Sequence, residues 1–468
     1  MTCPVTGLTE INLQSVKPTL RSTPSIGTTV VLYDQITVWT SEHLSPTQLN
    51  EWRYLGDPVI DHFFDKYAEQ LQDNEDTYAF IEKLALAEPH HQCDESCHDI
   101  CIIQFPKHIR QRPAWFDKAL IQRGQQFHLK YGPIATMSIF SYTLILGYGF
   151  QQLNEVLVKT QYLCSPDLSE TYRRLAETEQ MIVHAVIGDV DDFEKTFLDV
   201  VRVRLLHGMV RHKFKKYNQQ VPINQEDSLI TLLGFAFGTL NCMEDRIGIS
   251  INEEDKHAYL HLWRYIGWLI GIKYEYLTYL SSYRSARVIS ESIFYHYYFP
   301  SAISKHFAHH ALMSAFMHRP LPITFKLQLG LSQVLLGEQI AQALDLDQPK
   351  MNSIELGIIY FVFRLLRCYH WLLDQNIPWY NEWMIELNRR KLPGLIEGYL
   401  RNFSLYKAYK TNSSTTVERK PLKECPCGYY QKKQHEIIKT NNVGPFTISM
   451  SVLLRTLFLI FCLFCLFL

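Results

Sequence analysis

The fold is decided by residues 171–212, which read TYRRLAETEQMIVHAVIGDVDDFEKTFLDVVRVRLLHGMVRH. The pattern predicts two helical segments that are separated by the turn-prone residues 188–192. In the first segment, Arg174, Glu177 and Thr178 are spaced i, i+3 and i+4. This spacing places a cation, a carboxylate and a hydroxyl on one face of a helix.

The second segment carries an apolar stripe that is typical of a helix packed into a core. Within it, His207 lies with Arg204 and Arg211 one turn to either side. A neutral imidazole there can bind a metal, haem iron commonly has a histidine ligand, and arginines suit the carboxylate edge of haem. A lone histidine in this setting is more often a hydrogen-bonded core residue, so both interpretations stay open. The stripe consists of Val200, Val203, Leu206, His207 and Val210.

The composition is that of a large chain with an apolar interior and little net charge. The chain has 468 residues, a net charge of −1 and 13% aromatic residues. This charge balance excludes the basic footprint that nucleic-acid binding requires. The length allows two or three domains, or one large helical body. Residues 1–30 lack the apolar core of a secretory signal, which predicts a cytosolic body with reduced cysteines.

The other end of the chain is strongly apolar. Residues 446–468 read FTISMSVLLRTLFLIFCLFCLFL. A membrane span needs about 20 apolar residues, so this stretch can cross a bilayer if Arg455 is tolerated. The alternative is a terminal helix that folds back onto the body. We expect a membrane anchor, and Lys432, Lys433 and Lys439 before it would keep the body on the cytosolic side.

Between the two ends, the periodicity predicts an all-α body. Residues 131–154 contain no charge and are long enough to span a membrane, but their Gly, Ser, Thr and Tyr content favours a buried central helix. The predicted segments are an irregular arm over 1–45, a helical domain over 46–408, a polar linker over 409–445 and the apolar tail over 446–468.

Three cysteines share one predicted helical face. Cys93, Cys97 and Cys101 are four residues apart. A metal site usually combines a close pair with a second, distant pair, and none stands out here. Metal binding, a redox-sensitive thiol site and an ordinary helical face therefore remain as alternatives.

Three motifs together resemble one known family. They are RLAET at 174–178, VRLLHGMVR at 203–211 and PINQED at 222–227. In this order and spacing they resemble the catalytic domain shared by rubber oxygenases (latex clearing proteins) and the ER-bound oxygenase of mycophenolic acid biosynthesis. The resemblance is strongest over residues 113–274.

The resemblance implies a globin-like helical core that binds haem b. It implies that His207 is the proximal iron ligand and that Arg174 and Thr178, on the facing helix, line the haem pocket. Arg204 and Arg211 are then expected to contact the cofactor. The implied reaction is oxidative cleavage of C=C bonds in a lipophilic isoprenoid or another unsaturated chain, with O2 as co-substrate.

One position departs from the family pattern. Rubber oxygenases with an R-x-x-K-T motif have a lysine where this chain has Glu177. A buried glutamate can act as a general base instead, and Glu155 is the nearest upstream alternative. A haem-binding sensor or carrier, or a membrane-anchored helical scaffold without haem, are therefore the alternative functions. For the oxygenase we expect membrane association through the tail, with the endoplasmic reticulum as the candidate membrane.

Overall fold

A computed structural model describes residues 21–400, apart from residues 34, 72–74, 88–97, 161–162, 164–167, 216–220, 319–324, 349 and 375–377. This part of the chain is almost entirely helical, which confirms the all-α prediction. Its strands are β1 (Thr29–Leu32) and β2 (Gln35–Val38), which pair antiparallel with Thr29 opposite Val38.

The helices of the described chain vary from one turn to six turns in length. The first are α1 (Pro46–Trp52), α2 (Pro58–Tyr67), α3 (Thr77–Ala87), α4 (His98–Arg110), α5 (Lys118–Lys130), α6 (Gly132–Ser138), α7 (Leu144–Gly147), α8 (Gln151–Thr160), α9 (Leu168–Ile187), α10 (Phe193–Thr196) and α11 (Leu198–Phe214). The others are α12 (Gln225–Leu233), α13 (Thr239–Asn241), α14 (Glu253–Ile270), α15 (Tyr274–Leu277), α16 (Tyr283–Tyr297), α17 (Ala302–His318), α18 (Phe325–Leu336), α19 (Glu338–Ala343), α20 (Ser353–Asp374) and α21 (Pro378–Leu400). Short 3-10 turns (Ala68–Gln70, Thr278–Ser281) and π-helical turns (Ile139–Thr143, Gly234–Gly238, Cys242–Ile247) connect or extend them.

Two helices begin at side-chain caps that lie next to them in the sequence. The Asp57 side chain accepts a hydrogen bond from the backbone N–H of Ile60 and so caps α2, whose first residue is Pro58. At α12, the Asn224 side chain accepts from the Asp227 N–H at 2.9 Å, and the Asp227 carboxylate accepts in return from the Asn224 N–H at 3.3 Å. This reciprocal pair is a capping box, and it fixes the start of α12.

Helices α5 and α14 form the centre of the body, and a glycine allows them to approach closely. A Cβ atom on Gly124 of α5 would lie 2.5 Å from the Ala258 carbonyl oxygen and 2.9 Å from the Leu262 Cβ on α14. Real Cβ atoms do not approach a backbone so closely. The two helix axes can therefore stay at their present separation only with glycine at this position.

Replacing Gly124 with alanine is expected to lower the free energy of unfolding by about 2 kcal/mol, because overpacking forces α5 and α14 apart. The measurement is urea unfolding followed by far-UV circular dichroism. The control is Gly357→Ala in α20, where an added Cβ meets nothing within 4 Å and alanine is the better helix former. An equal effect of the two substitutions would contradict the close packing of α5 and α14.

The two helices that carry the motifs lie on either side of this centre. Helix α9 packs against α5, α17 and α21, whereas α11 packs against α2, α3 and α14. The two are joined where α9 ends and α11 begins, because His184 Nδ1 and Asp199 Oδ2 form a hydrogen bond of 2.8 Å. The predicted turn at residues 188–192 thus brings the two motif helices together at one end.

The predicted central helix over residues 131–154 is interrupted, which corrects that part of the prediction. Helix α6 continues through a π-helical turn into α7, and the helix stops before Gly149. A Cβ on Gly149 would overlap the ring of Tyr298, and Phe150 forms an isolated β-bridge with Tyr298. The chain breaks here because the Tyr298 ring occupies the space that the next turn would need. In the described residues, no helix has the length and apolarity that crossing a membrane requires.

Candidate functional site

His207 lies on α11. Its side chain is half-buried, and none of the described residues forms a hydrogen bond to its ring. Burial, with a smaller contribution from the Arg211 charge, lowers the pKa of His207 to about 4. The ring is therefore a neutral imidazole at neutral pH.

The apolar stripe predicted on α11 is displaced in the structure. The helix buries a neighbouring set of residues against the core, and Leu206 of the predicted stripe is 39% exposed. His207 therefore lies at the edge of the buried face, and the prediction that it lies within a core-packed stripe is wrong. Val203 and Val210 are likewise half-buried. The residues that α11 buries are Val200, Val201, Leu205, Gly208 and Arg211.

Helices α9 and α11 are in contact at His184 and Asp199. On α11, Leu206 follows Asp199 by seven residues, so the two share one face. On α9, Glu177 precedes His184 by seven residues and shares its face. Two turns from the contact, about 10 Å along the axis of α11, Leu206 is exposed. The face of α11 that meets α9 is therefore accessible next to His207.

The predicted polar residues of α9 form one group. Arg174 Nη1 donates to Glu177 Oε2 at 3.1 Å, and both side chains are mostly buried. The Thr178 hydroxyl donates to the Arg174 carbonyl oxygen at 3.2 Å. Glu177 Oε1 is buried without a hydrogen bond, although Arg173 lies 3.8 Å away. The structure therefore brings Arg174, Glu177 and Thr178 together on the helix that faces α11.

Arg204 and Arg211 pair with carboxylates at the start of α2. Arg204 contacts both carboxylate oxygens of Asp57, at 2.5 and 3.1 Å. Arg211 contacts Asp61 at 2.5 Å and the Ile223 carbonyl oxygen at 3.1 Å. Two nearly buried guanidinium groups paired in this way hold α11 against α2. We therefore assign them to positioning the helix of His207 and not to cofactor contact.

The PINQED motif forms a polar junction at the start of α12. The Gln225 amide nitrogen donates to the carbonyl oxygens of Gly56 (2.9 Å) and Gly271 (3.0 Å), and its oxygen accepts from the Lys273 N–H at 2.9 Å. One buried side chain thus connects the residues before α2 with the end of α14. Gly271 has φ +96°, and a Cβ there would meet Asp57 and Arg204. The junction and the Arg204–Asp57 pair therefore form one connected cluster.

Comparisons with known proteins point to one family. Residues 154–367 match the family described as ER-bound oxygenase mpaB/B'/rubber oxygenase, catalytic domain. The rubber oxygenase of Streptomyces sp. (strain K30) is 27% identical over 185 residues, which cover 37% of this chain and 44% of that protein. The chain thus spans less than half the length of that relative. Residues 154–367 are therefore similar to the catalytic domain of this family.

The fold agrees with a rubber oxygenase domain over a longer part of the chain. The structure of latex clearing protein LCP in the closed state has a TM-score of 0.50 and 19% sequence identity. The similarity covers 73% of this chain and 90% of that chain. The resemblance that the sequence motifs indicate is therefore confirmed, and it extends to the three-dimensional arrangement of the helices.

The region that matches the family contains a buried carboxyl pair that the motif alone does not reveal. Glu226 and Asp227 are both buried, and Glu226 Oε2 pairs with Arg53 Nε at 2.5 Å. The Arg53 guanidinium also lies 3.8 Å from the centre of the Tyr297 ring. Burial raises the pKa of Asp227 to about 7, although the Arg53 charge opposes the rise. Burial also raises the pKa of Glu226, to about 8, against the same Arg53 charge. One cation thus serves two buried carboxyls, and each binds a proton more tightly than an exposed carboxyl does.

Asp227 is expected to make folding stability fall as the pH rises from about 4 to about 7. Its pKa in the folded state is above the ordinary value of 3.8, so the folded chain binds the proton more tightly than the unfolded chain. The free energy of unfolding falls over this pH range, and replacing Asp227 with asparagine should make that fall smaller by about 1–2 kcal/mol. Thermal unfolding at a series of pH values measures it.

The control is Asp65→Asn. Hydrogen bonds from Lys215 and His212 outweigh the burial of Asp65, so its pKa is lowered and its effect on stability has the opposite sign. A profile for Asp227→Asn that is parallel to that of the unchanged chain would contradict a protonated Asp227.

Glu155 on α8 belongs to the same region, and sequence reasoning only partly identified it. Its side chain is exposed, yet burial raises its pKa, with opposing effects of Lys159 and Arg53. Its charge also raises the pKa of Asp227. The sequence singles out Glu155 only because it is the first charged residue after the uncharged residues 131–154.

No group of three metal-ligating side chains occurs in the parts of the chain that the structure describes. Cys93 and Cys97 lie outside the described residues, and Cys101 lies on α4. The alternatives for these cysteines stay as predicted.

Proposed function

We propose that this chain is a haem b-dependent oxygenase that uses O2 to cleave C=C bonds of a lipophilic isoprenoid or another unsaturated chain. The proposal rests on one observation above all: His207 is a half-buried, neutral imidazole without a hydrogen bond to the described residues, next to an accessible face of α11. A rubber oxygenase as relative and LCP as structural neighbour support the reaction class and the polyisoprenoid substrate.

The residues around His207 suit haem. Val203, Leu206 and Val210 lie on the same helix, and their partly exposed aliphatic side chains would contact an apolar cofactor. His207 would hold the iron, and bound haem would supply the chemistry that activates dioxygen. Arg204 and Arg211 are paired with carboxylates, so Arg174 is the arginine of the two motif helices that we propose for the cofactor or dioxygen.

The polar group of Arg174, Glu177 and Thr178 would act on dioxygen or the substrate from α9, whereas His207 would bind the cofactor from α11. The Arg174 guanidinium can donate hydrogen bonds to a bound oxygen species, and Thr178 can rotate its hydroxyl to do the same. The Glu177 carboxylate, with one buried oxygen free of hydrogen bonds, can accept a proton from the substrate. These roles for Arg174, Glu177 and Thr178 follow from their shared helical face.

The decisive experiment uses the purified full chain. Pigment extraction and the Soret absorption band measure bound haem, and an oxygen electrode measures O2 uptake with polyisoprenoids and shorter polyenes. Products are trapped with a hydrazine reagent that reacts with carbonyl groups and are identified by mass spectrometry. Bound haem without O2 uptake in the presence of any polyene would favour a haem sensor or carrier. A helical chain without haem would favour the scaffold.

Replacing Glu177 with glutamine is expected to lower the rate of O2 uptake by roughly tenfold while the haem content stays unchanged, because an amide cannot accept the proton. The control is Glu170→Gln on the same helix, a carboxylate that is paired only loosely with Arg173 at 3.7 Å. An unchanged rate for Glu177→Gln would assign proton transfer to another group, and Glu155 would then be the first to test.

The domain organisation and location remain part of the proposal. We propose a helical oxygenase domain over residues 46–408 behind an arm of residues 1–45, then a linker and a membrane anchor formed by residues 446–468. The endoplasmic reticulum is the proposed membrane, which would give the site access to a lipophilic substrate. Residues 409–468 lie outside the described residues. Resistance of the full chain to extraction from membranes with alkaline carbonate tests the anchor.

A further inference from the structure

Helix α14 carries a cationic face that the proposed reaction does not use. His257, His261 and Arg264 are spaced i, i+4 and i+7, so they share one side of the helix. His257 is exposed, His261 is buried and Arg264 is half-buried. Two aromatic rings contact this face: Trp115, which precedes α5, and Tyr274, the first residue of α15. We call these five residues the α14 cluster.

Arg264 has no carboxylate partner among the described residues. It forms no ion pair and no hydrogen bond with them, and its Nε atom is buried without a partner. Arg204 and Arg211, the two nearly buried arginines of α11, each contact an aspartate instead. A partly desolvated cation that lacks a counter-charge costs free energy. A bound anion would remove this cost.

Two aromatic rings hold the Arg264 side chain in place. Its guanidinium carbon lies 4.3 Å from the centre of the Trp115 ring and 5.5 Å from the centre of the Tyr274 ring. The centres of the two rings are 6.4 Å apart, and Tyr274 is 53% exposed. A cation–π contact attracts the charge but accepts none of the N–H groups in a conventional hydrogen bond. The rings therefore position Arg264 and leave its donors for an oxyanion.

A backbone group fixes the tautomer of His261. Its Nε2 atom accepts a hydrogen bond from the Asp117 N–H at 3.1 Å, so the proton of the neutral ring lies on Nδ1. Burial and, after it, the Arg264 charge lower the pKa of His261 to about 4, so the ring is neutral at neutral pH. Its Nδ1–H group is a donor, and no described residue accepts from it. Arg264 and His261 thus offer donors from adjacent turns of one helix face.

The carboxylates around the α14 cluster are engaged with other groups. Asp117 caps α5, because its side chain accepts from two backbone N–H groups in the first turn at 2.8 and 3.1 Å. Glu275 is exposed and lies 4.0 Å from Lys273 Nζ. The acidic residues at the start of α14 form ion pairs with lysine or arginine side chains; they are Glu253, Glu254 and Asp255. Since none of these carboxylates pairs with Arg264, the cluster keeps its positive charge.

We propose that the α14 cluster binds a phosphate monoester, with Arg264 and His261 as the hydrogen-bond donors to its phosphate group. A phosphate has several acceptor oxygens and a negative charge, so it matches a guanidinium fork beside a separate N–H donor. His257, whose ring centre is 6.3 Å from that of His261, lies at the rim. The apolar part of the ester would lie against Trp115 and Tyr274. This site depends neither on haem nor on the proposed reaction.

The experiment measures the heat of binding when phenyl phosphate, a soluble aromatic monoester, is titrated into the full chain at neutral pH. Arg264→Gln should weaken binding by about tenfold, because a charge-assisted contact is lost. Arg264→Lys keeps the charge without the fork, so its affinity should lie between the two. The matched control is Arg364→Gln, which removes the same charge from an exposed arginine on α20 and should bind like the unchanged chain. His207→Ala should also bind like it, which separates this site from the proposed haem site.

A second probe distinguishes a soluble ester from a lipid head group. Stronger binding to phosphatidylcholine vesicles that contain phosphatidate than to vesicles without it, lost in Arg264→Gln, would support the site and assign it to a lipid. If circular dichroism shows that Arg264→Gln is unfolded, His257→Gln replaces it and should weaken binding by about threefold.

Two results would overturn the proposal. Equal weakening by Arg264→Gln and Arg364→Gln would show attraction to the overall charge and no site. Absence of binding that depends on Arg264 or His257, with either probe, would leave Arg264 as a cation held by aromatic rings alone.

Discussion

Replacing His207 with alanine is expected to abolish the Soret absorption band of the purified full chain. The site offers one imidazole to an iron that porphyrin nitrogens already hold on four sides, so removing this imidazole removes the only protein bond proposed for it. Haem extracted from the variant should fall to the level of a chain expressed without added haem precursor. Absorption spectroscopy and pigment extraction on matched protein amounts measure this.

The control for His207 is on the same helix. His212 is partly exposed, and its Nδ1 lies 3.2 Å from Asp65. His212→Ala should therefore retain the full Soret band. Far-UV circular dichroism of both variants separates haem loss from unfolding, and His207→Leu fills the site with an apolar side chain of similar size. An unchanged Soret band in His207→Ala would reject His207 as the ligand and leave the fold assignment intact.

Replacing Arg204 with methionine should lower the free energy of unfolding by about 3–5 kcal/mol. The reason is that Asp57 is 4% exposed and would lose the guanidinium that contacts both of its carboxylate oxygens. Methionine keeps the length of the side chain, so the effect reports on the charge. Urea unfolding of haem-free and haem-loaded protein measures it, and the loss should be the same in both.

Arg202 on the same helix provides the comparison. It pairs with Asp76 and Asp199 near the surface, with side chains that are 29–34% exposed. Arg202→Met should therefore cost no more than about 1 kcal/mol. If Arg204→Met destabilised only the haem-loaded protein, Arg204 would be a cofactor contact after all, and its assignment to the clamp between α2 and α11 would be wrong.

The sequence contains the local part of the fold. The start of α2 at Pro58 and the capping box of Asn224 and Asp227 depend on residues within one turn, and both were predictable. The pairing of the motif helices was predictable too, because a short turn joins them. Recognition of the family depended on three ordered motifs, since a single histidine on an apolar face has a common structural explanation.

The non-local part was not predictable. Arg204 and Arg211 pair with carboxylates 147 and 150 residues away, and nothing in the spacing of α11 reveals those partners. The stripe on α11 was placed incorrectly for a related reason. Hydrophobic periodicity counts Leu206 as a core residue and Arg211 as a surface residue, whereas the carboxylate of Asp61 allows the arginine to be buried.

The clamp between α2 and α11 has a practical consequence for where the protein can be divided. A fragment that began at residue 154, where the family similarity begins, would retain Arg204 and Arg211 but lack Asp57 and Asp61. It would thus carry two unneutralised cations against an exposed apolar surface, and such a fragment should aggregate when expressed. The part of the chain that matches the family is therefore shorter than the smallest part that can fold alone. That part must begin before Asp57.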